Sequence, residues 1–92
     1  VNKWLFKKKT NKALHMRAEL WFEMTMERFV ATLRLVAKPG RIESETTVLE
    51  TKPDELHYHY KLRDLVFDGI NIRVLDEFGK ITFSFDLTQP KG

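Results

Sequence analysis

The stretch 15–38 constrains the fold more than any other part of the chain. It reads HMRAELWFEMTMERFVATLRLVAK and contains no Gly, Pro, Asn or Asp. One long helix or two strands can occupy it, and the two choices lead to different proteins. Apolar residues fall on the even positions Met16, Ala18, Leu20, Phe22, Met24 and Met26. The odd positions are polar, with Trp21 as the exception. At Arg28 the phase flips. Phe29, Ala31, Leu33, Leu35 and Ala37 are then apolar, with Val30 and Val36 breaking the rule. A helix would gather Ala18, Phe22, Met26, Phe29, Leu33 and Val36 on one stripe. It would leave Leu20, Met24, Ala31 and Leu35 among charges. The two-residue period is the cleaner signal, and it outweighs the helix propensity of Ala, Leu, Met, Glu and Arg, which tertiary context overrides. The stretch therefore predicts two strands reversing at Glu27 and Arg28, with Met26 opposite Phe29, Phe22 opposite Leu33 and Leu20 opposite Leu35. Glu-Arg is poor chemistry for a two-residue hairpin.

Later turns obey the same logic. Pro39 and Gly40 predict a reversal that sets Leu33 against Thr46 and Ala31 against Val48. Lys52, Pro53 and Asp54 set Val48 against Tyr58 and Thr46 against Tyr60. The segment 55–63 alternates with Leu56, Tyr58, Tyr60 and Leu62 inward, and a bulge at Arg63 and Asp64 moves Leu65 and Phe67 to the apolar face. Asp68 and Gly69 predict a tight hairpin pairing Phe67 with Ile70 and Leu65 with Ile72. Residues 77–80 (EFGK) turn the chain so that Val74 meets Phe83 and Ile72 meets Phe85. The register from each turn agrees with the apolar face of each strand. The expectation is a mainly β domain: a six- to seven-stranded antiparallel meander closing as a small barrel or sandwich. The seventh strand would be 1–7. The alternative is α+β, one helix at 12–37 on a four-stranded antiparallel sheet. That arrangement resembles cystatin-like folds in architecture alone.

Ninety-two residues suit one domain, read as a basic N-terminal arm (1–13), a β body (14–88) and a tail (89–92). Trp4, Leu5 and Phe6 are expected to dock, and the lysines after them to stand free. There is no cysteine, which excludes disulfides and thiol chemistry and agrees with a reducing, cytoplasmic setting. No apolar run reaches the roughly 18 residues of a membrane span.

The net charge of +3 is unevenly spread. Lys3, Lys7, Lys8, Lys9, Lys12 and Arg17 lie in the first seventeen residues with no acid among them. Such a segment is an electrostatic handle for phosphate or another polyanion, nucleic acid above all. A second reading is a protein-interaction or dimer module pairing through an outer apolar patch of Trp21, Val30, Val36 and Leu49, or through an edge strand. A third is a barrel holding a small apolar ligand. His57 and His59 form an H-x-H on one strand face, a weak metal candidate without a third ligand nearby. Predicted outer rows run Trp21, Arg34, Glu45, Lys61 and Glu19, Val36, Glu43, Arg63, with opposite charges side by side. No phosphate loop, nucleophile elbow or carboxylate cluster is present. The expected protein is a non-catalytic binding domain without a cofactor.

Overall fold

The computed structural model describes residues 2–37, 40–53 and 61–88. Among these the chain forms seven strands: β1 (Asn2–Asn11), β2 (Met16–Met24), β3 (Phe29–Ala37), β4 (Arg41–Thr51), β5 (Asp64–Asp68), β6 (Asn71–Leu75) and β7 (Ile81–Asp86). They build two antiparallel sheets, β1-β2-β3-β4 and β5-β6-β7. The mainly β meander is therefore observed, in a sandwich-like form. The helix at 12–37 is not; that stretch runs from the first turn through β2 and β3.

One core joins the sheets. Ala18, Leu20, Phe22, Phe29, Ala31, Leu33 and Leu35 from the first sheet meet Leu62, Leu65, Ile72 and Val74. The alternation read from the sequence puts these residues on one face of each strand. Burying each large member stabilises by roughly 1.5–3 kcal/mol.

The β2–β3 register differs from expectation by two residues. Met24 pairs with Phe29, Phe22 with Ala31 and Leu20 with Leu33. The reversal uses four residues, 25–28, and its chemistry lies in Thr25. Its Oγ1 accepts the N–H groups of Glu27 (3.1 Å) and Arg28 (3.0 Å), and its own N–H donates to the Arg28 carbonyl at 2.9 Å. A threonine hydroxyl thus supplies what Glu-Arg alone lacks. Met26, expected inward, is 99% exposed at the tip.

At the β3–β4 hairpin the predicted Leu33–Thr46 pair holds, but bulges beside Ala31 and Leu35 shift both ends by one residue. Ala31 therefore faces Leu49, not Val48. The Asp68–Gly69 hairpin also differs from expectation by two residues: the pairs are Phe67–Ile72 and Leu65–Val74, not Phe67–Ile70 and Leu65–Ile72. Gly69, with φ of +60°, and Ile70 occupy the two corner positions, as a Gly-first two-residue loop requires. The predicted pairs Val74–Phe83 and Ile72–Phe85 are observed.

The expected strand 55–63 lies mostly outside the described residues, together with Tyr58 and Tyr60. Of its end, Lys61 offers its carbonyl to Thr82 Oγ1 at 2.8 Å and Arg63 donates its N–H to the Leu75 carbonyl at 2.8 Å. Both residues sit beside the second sheet, so neither extends the predicted charge rows of the first.

Candidate functional site

The basic segment is not a free arm. It is β1, the edge strand of the four-stranded sheet, paired with β2 along its whole length. Its anchors are aromatic. Trp4 meets Phe22 edge-on at 5.7 Å, and Phe6 stacks on Phe22 at 4.5 Å. Phe22 in turn meets Phe29 at 5.1 Å. Such ring pairs add about 0.5–1.5 kcal/mol each beyond area burial, enough to hold a lysine-rich strand that has little reason of its own to stay. The expectation that Trp4 and Phe6 dock is met. The expectation that the following lysines stand clear of the sheet is corrected: Lys7, Lys8 and Lys9 lie opposite Leu20, Glu19 and Ala18.

A bulge at Phe6 sorts these lysines. Before it, Lys3 and Leu5 lie opposite Glu23 and Trp21 on the outer face. After it, Lys8 is the outward residue, while Lys7 and Lys9 share the register of the core side at the sheet edge. Lys12 stands in the turn, where Asn11 Oδ1 accepts the Leu14 N–H at 3.1 Å and His15 takes a φ of 51°. All five lysines are exposed.

The outer face carries a fixed cluster. Arg17, Glu19 and Trp21 alternate along β2, so their side chains stand side by side. Glu19 Oε2 accepts Arg17 Nε at 2.7 Å, and Oε1 accepts Trp21 Nε1 at 2.8 Å. Glu19 is 6% exposed, and burying its carboxylate is tolerable because both oxygens are bonded. The Arg34 guanidinium lies 4.9 Å from the centre of the Trp21 ring and the Lys3 ammonium 5.8 Å from it. The row across the four strands is Lys8, Glu19, Arg34, Glu45, alternating in sign as cross-strand pairing favours. The two-residue register shift moved Arg34 from beside Trp21 to beside Glu19.

Charge on this sheet is partitioned. Four arginines engage four glutamates: Arg17–Glu19, Arg28–Glu50, Arg34–Glu45 and Arg41–Glu43. No described ion pair involves Lys3, Lys7, Lys8, Lys9 or Lys12. Glu19 is thus bonded to Arg17, and Glu43, Glu45 and Glu50 lie on β4, the far edge; Glu23 stays on the outer face of β2, opposite Lys3. The lysines that are in no described ion pair collect along β1 and its turn. Arg17, grouped with the lysines in the sequence, belongs instead to Glu19.

The proposed apolar patch divides. Trp21, Val30 and Val36 are on the outer face, but Val36 is already buried between Arg17 and Ile42 in register. Leu49 is corrected: the bulge at Val48 turns it toward Ala31, and it packs against the core. His57 and His59 lie outside the described residues. Among the described residues no three His, Cys, Asp or Glu side chains cluster to hold a metal. An open groove beside β1 brings Lys7 and Arg63 together with Asp64, Asp76 and Glu77; its charged lining suits an apolar ligand poorly. No described helix is long and apolar enough to cross a membrane. Comparison with protein-family models, curated proteins and solved structures returned no match to this chain.

Proposed function

We propose that this protein is a non-catalytic binding domain that engages a polyanion, nucleic acid before others, along its β1 edge. The observation that carries the reading is the partition of charge. Arginines pair with Glu19, Glu43, Glu45 and Glu50 of the sheet, and the five exposed lysines of β1 and its turn are in no ion pair among the described residues. From Lys3 to Lys9 the extended strand spans roughly 20 Å, long enough to follow a phosphate backbone over several nucleotides, and Lys12 stands in the turn beyond it. Lysines act here as point charges, giving affinity and salt dependence without sequence readout. The test is titration of a labelled oligonucleotide at two salt concentrations. The expected result is binding at low salt that weakens with a log–log slope of roughly 2–4, set by the number of lysines engaged. No binding at low salt sinks the reading.

Self-assembly through an edge strand has one supporting observation. β7 is the outer strand of its sheet, Ile81 is 52% exposed, and no charge interrupts residues 81–85. Natural edges are usually guarded by charge or proline. Light scattering after size exclusion decides it: a strict monomer at all concentrations, unchanged by Ser84→Lys, counts against pairing at β7.

A further inference from the structure

We infer that the outer face of β1, β2 and β3 is a stacking site for single-stranded nucleic acid, with one unpaired base on Trp21 and its flanking phosphates on Lys3 and Lys8. This rests on the polyanion reading above and adds the face, the strand state and the residue that selects it.

The argument begins with the oddity of Trp21. It is the one residue that breaks the polar phase of β2, and it stands half-buried on the sheet face turned away from the core. A large ring placed there for packing alone would not need its N–H tied down. Yet Glu19, itself buried and held by Arg17, accepts that N–H at 2.8 Å. The three-residue chain fixes the plane of the indole. A ring held in one orientation loses little entropy when a second flat group lies on it. Arg34 sits over the ring at 4.9 Å, and its Nε is buried without a hydrogen-bond partner. The guanidinium is therefore committed to the indole and to Glu45, and it thickens the platform.

Lys3 differs. It lies 5.8 Å from the ring centre on an exposed edge strand and makes no described ion pair. Its ammonium can leave the ring for a phosphate at little cost. Lys8 is the other outward lysine of β1, and roughly 15 Å of strand separates the two. The bulge at Phe6 is what brings Lys8 to this face. An aromatic ring flanked by lysines is the arrangement on which sheets bind unpaired strands; Glu19 on this face is bonded to Arg17 and Trp21, and Glu23 lies opposite Lys3. A duplex keeps its bases stacked on one another and offers Trp21 nothing.

The experiment uses the full 92-residue chain with three probes at low salt: a fifteen-nucleotide oligo-dT, a fifteen-base-pair duplex and heparin. The Trp4→Phe variant leaves Trp21 as the sole indole. Its fluorescence is expected to be quenched by oligo-dT and left nearly unchanged by duplex or heparin. Trp21→Leu is expected to weaken oligo-dT binding roughly 5- to 150-fold while changing heparin binding less than about twofold. Trp21→Phe keeps a stacking ring and is expected to retain oligo-dT affinity within about threefold, which separates stacking from loss of the Glu19 bond. Circular dichroism verifies that each variant is folded. Equal losses for oligo-dT and heparin, or oligo-dT binding without quenching, overturn the stacking site and leave the charge reading standing. Failure to bind all three probes removes both.

Discussion

The carboxylate of Glu19 accepts the indole N–H of Trp21 at 2.8 Å while its second oxygen holds Arg17 at 2.7 Å. A buried anion thus fixes an aromatic ring on the outside of a sheet. Glu19→Leu removes both bonds and leaves Arg17 and the indole N–H to water or to nothing. The Arg17 side chain is 38% exposed and recovers part of its solvation, so the expected loss is about 1–3 kcal/mol. Urea denaturation measures it. Glu19→Gln, which keeps one acceptor, should lose less; equal losses would show that charge, not the bond to Trp21, is what matters.

The turn at 25–28 is expected to depend on Thr25 and to ignore Met26. Thr25→Ala removes the acceptor of two backbone N–H groups and should cost about 1 kcal/mol. Met26→Gln should change stability by less than about 0.5 kcal/mol, as fully exposed positions do. A large loss at Met26 would restore the tighter hairpin in which it faces Phe29.

β1 is held by rings. Phe6→Ala strips the stacked partner from Phe22 and should cost about 1–3 kcal/mol, below a fully buried phenylalanine because Phe6 is half-buried. Native-state hydrogen exchange should show faster exchange of β1 amides, with β6 less affected. Deleting residues 1–12 is the wrong probe of charge for the same reason: it also removes Trp4 and Phe6 from the core edge.

Neutral substitution separates charge from fold. Lys8→Gln should leave the circular dichroism spectrum and urea midpoint unchanged. It should also lower the salt slope of single-strand binding by about 0.7, one phosphate contact. Lys9→Gln, on the other side of the edge, should do less if the outer face is the one occupied. Equal effects would mean that the strand binds along both sides of its edge.

Much of this fold is legible in the residues. Ala18, Leu20 and Phe22, then Phe29, Ala31, Leu33 and Leu35, announce the buried face by alternation alone, and all are buried. The turn around Gly79 was legible down to its register. The β2–β3 and β5–β6 registers are not, and the reason is physical. A slip of two residues keeps every side chain on its own face, so the hydrophobic pattern does not distinguish the alternatives. At β2–β3 the hydroxyl of Thr25 decides between them, and the outer row of the sheet changes as a consequence.

Leu49, and which β1 lysine faces outward, are not legible for a different reason. A bulge adds a residue without a sequence signature of its own, and those at Phe6 and Val48 each change which side chain faces out. The candidate site inherits this. Trp21 and the lysines were visible as isolated features. Their assembly with Arg34 and the buried Glu19 needed the register, and the pairing of four glutamates with four arginines needed the positions of all four strands.

The residues alone dictate that this chain alternates in and out with a period of two, reverses at Gly40, Gly69 and Gly79 and carries its unbalanced charge at one end. Those are local properties, written in neighbouring residues. Tertiary structure decided that the charged end becomes an edge strand, that the meander divides into two sheets over one core, and that a tryptophan stands fixed on the outer face. Those outcomes depend on which strands meet and in what register, and registers two residues apart expose the same pattern of faces while pairing different residues.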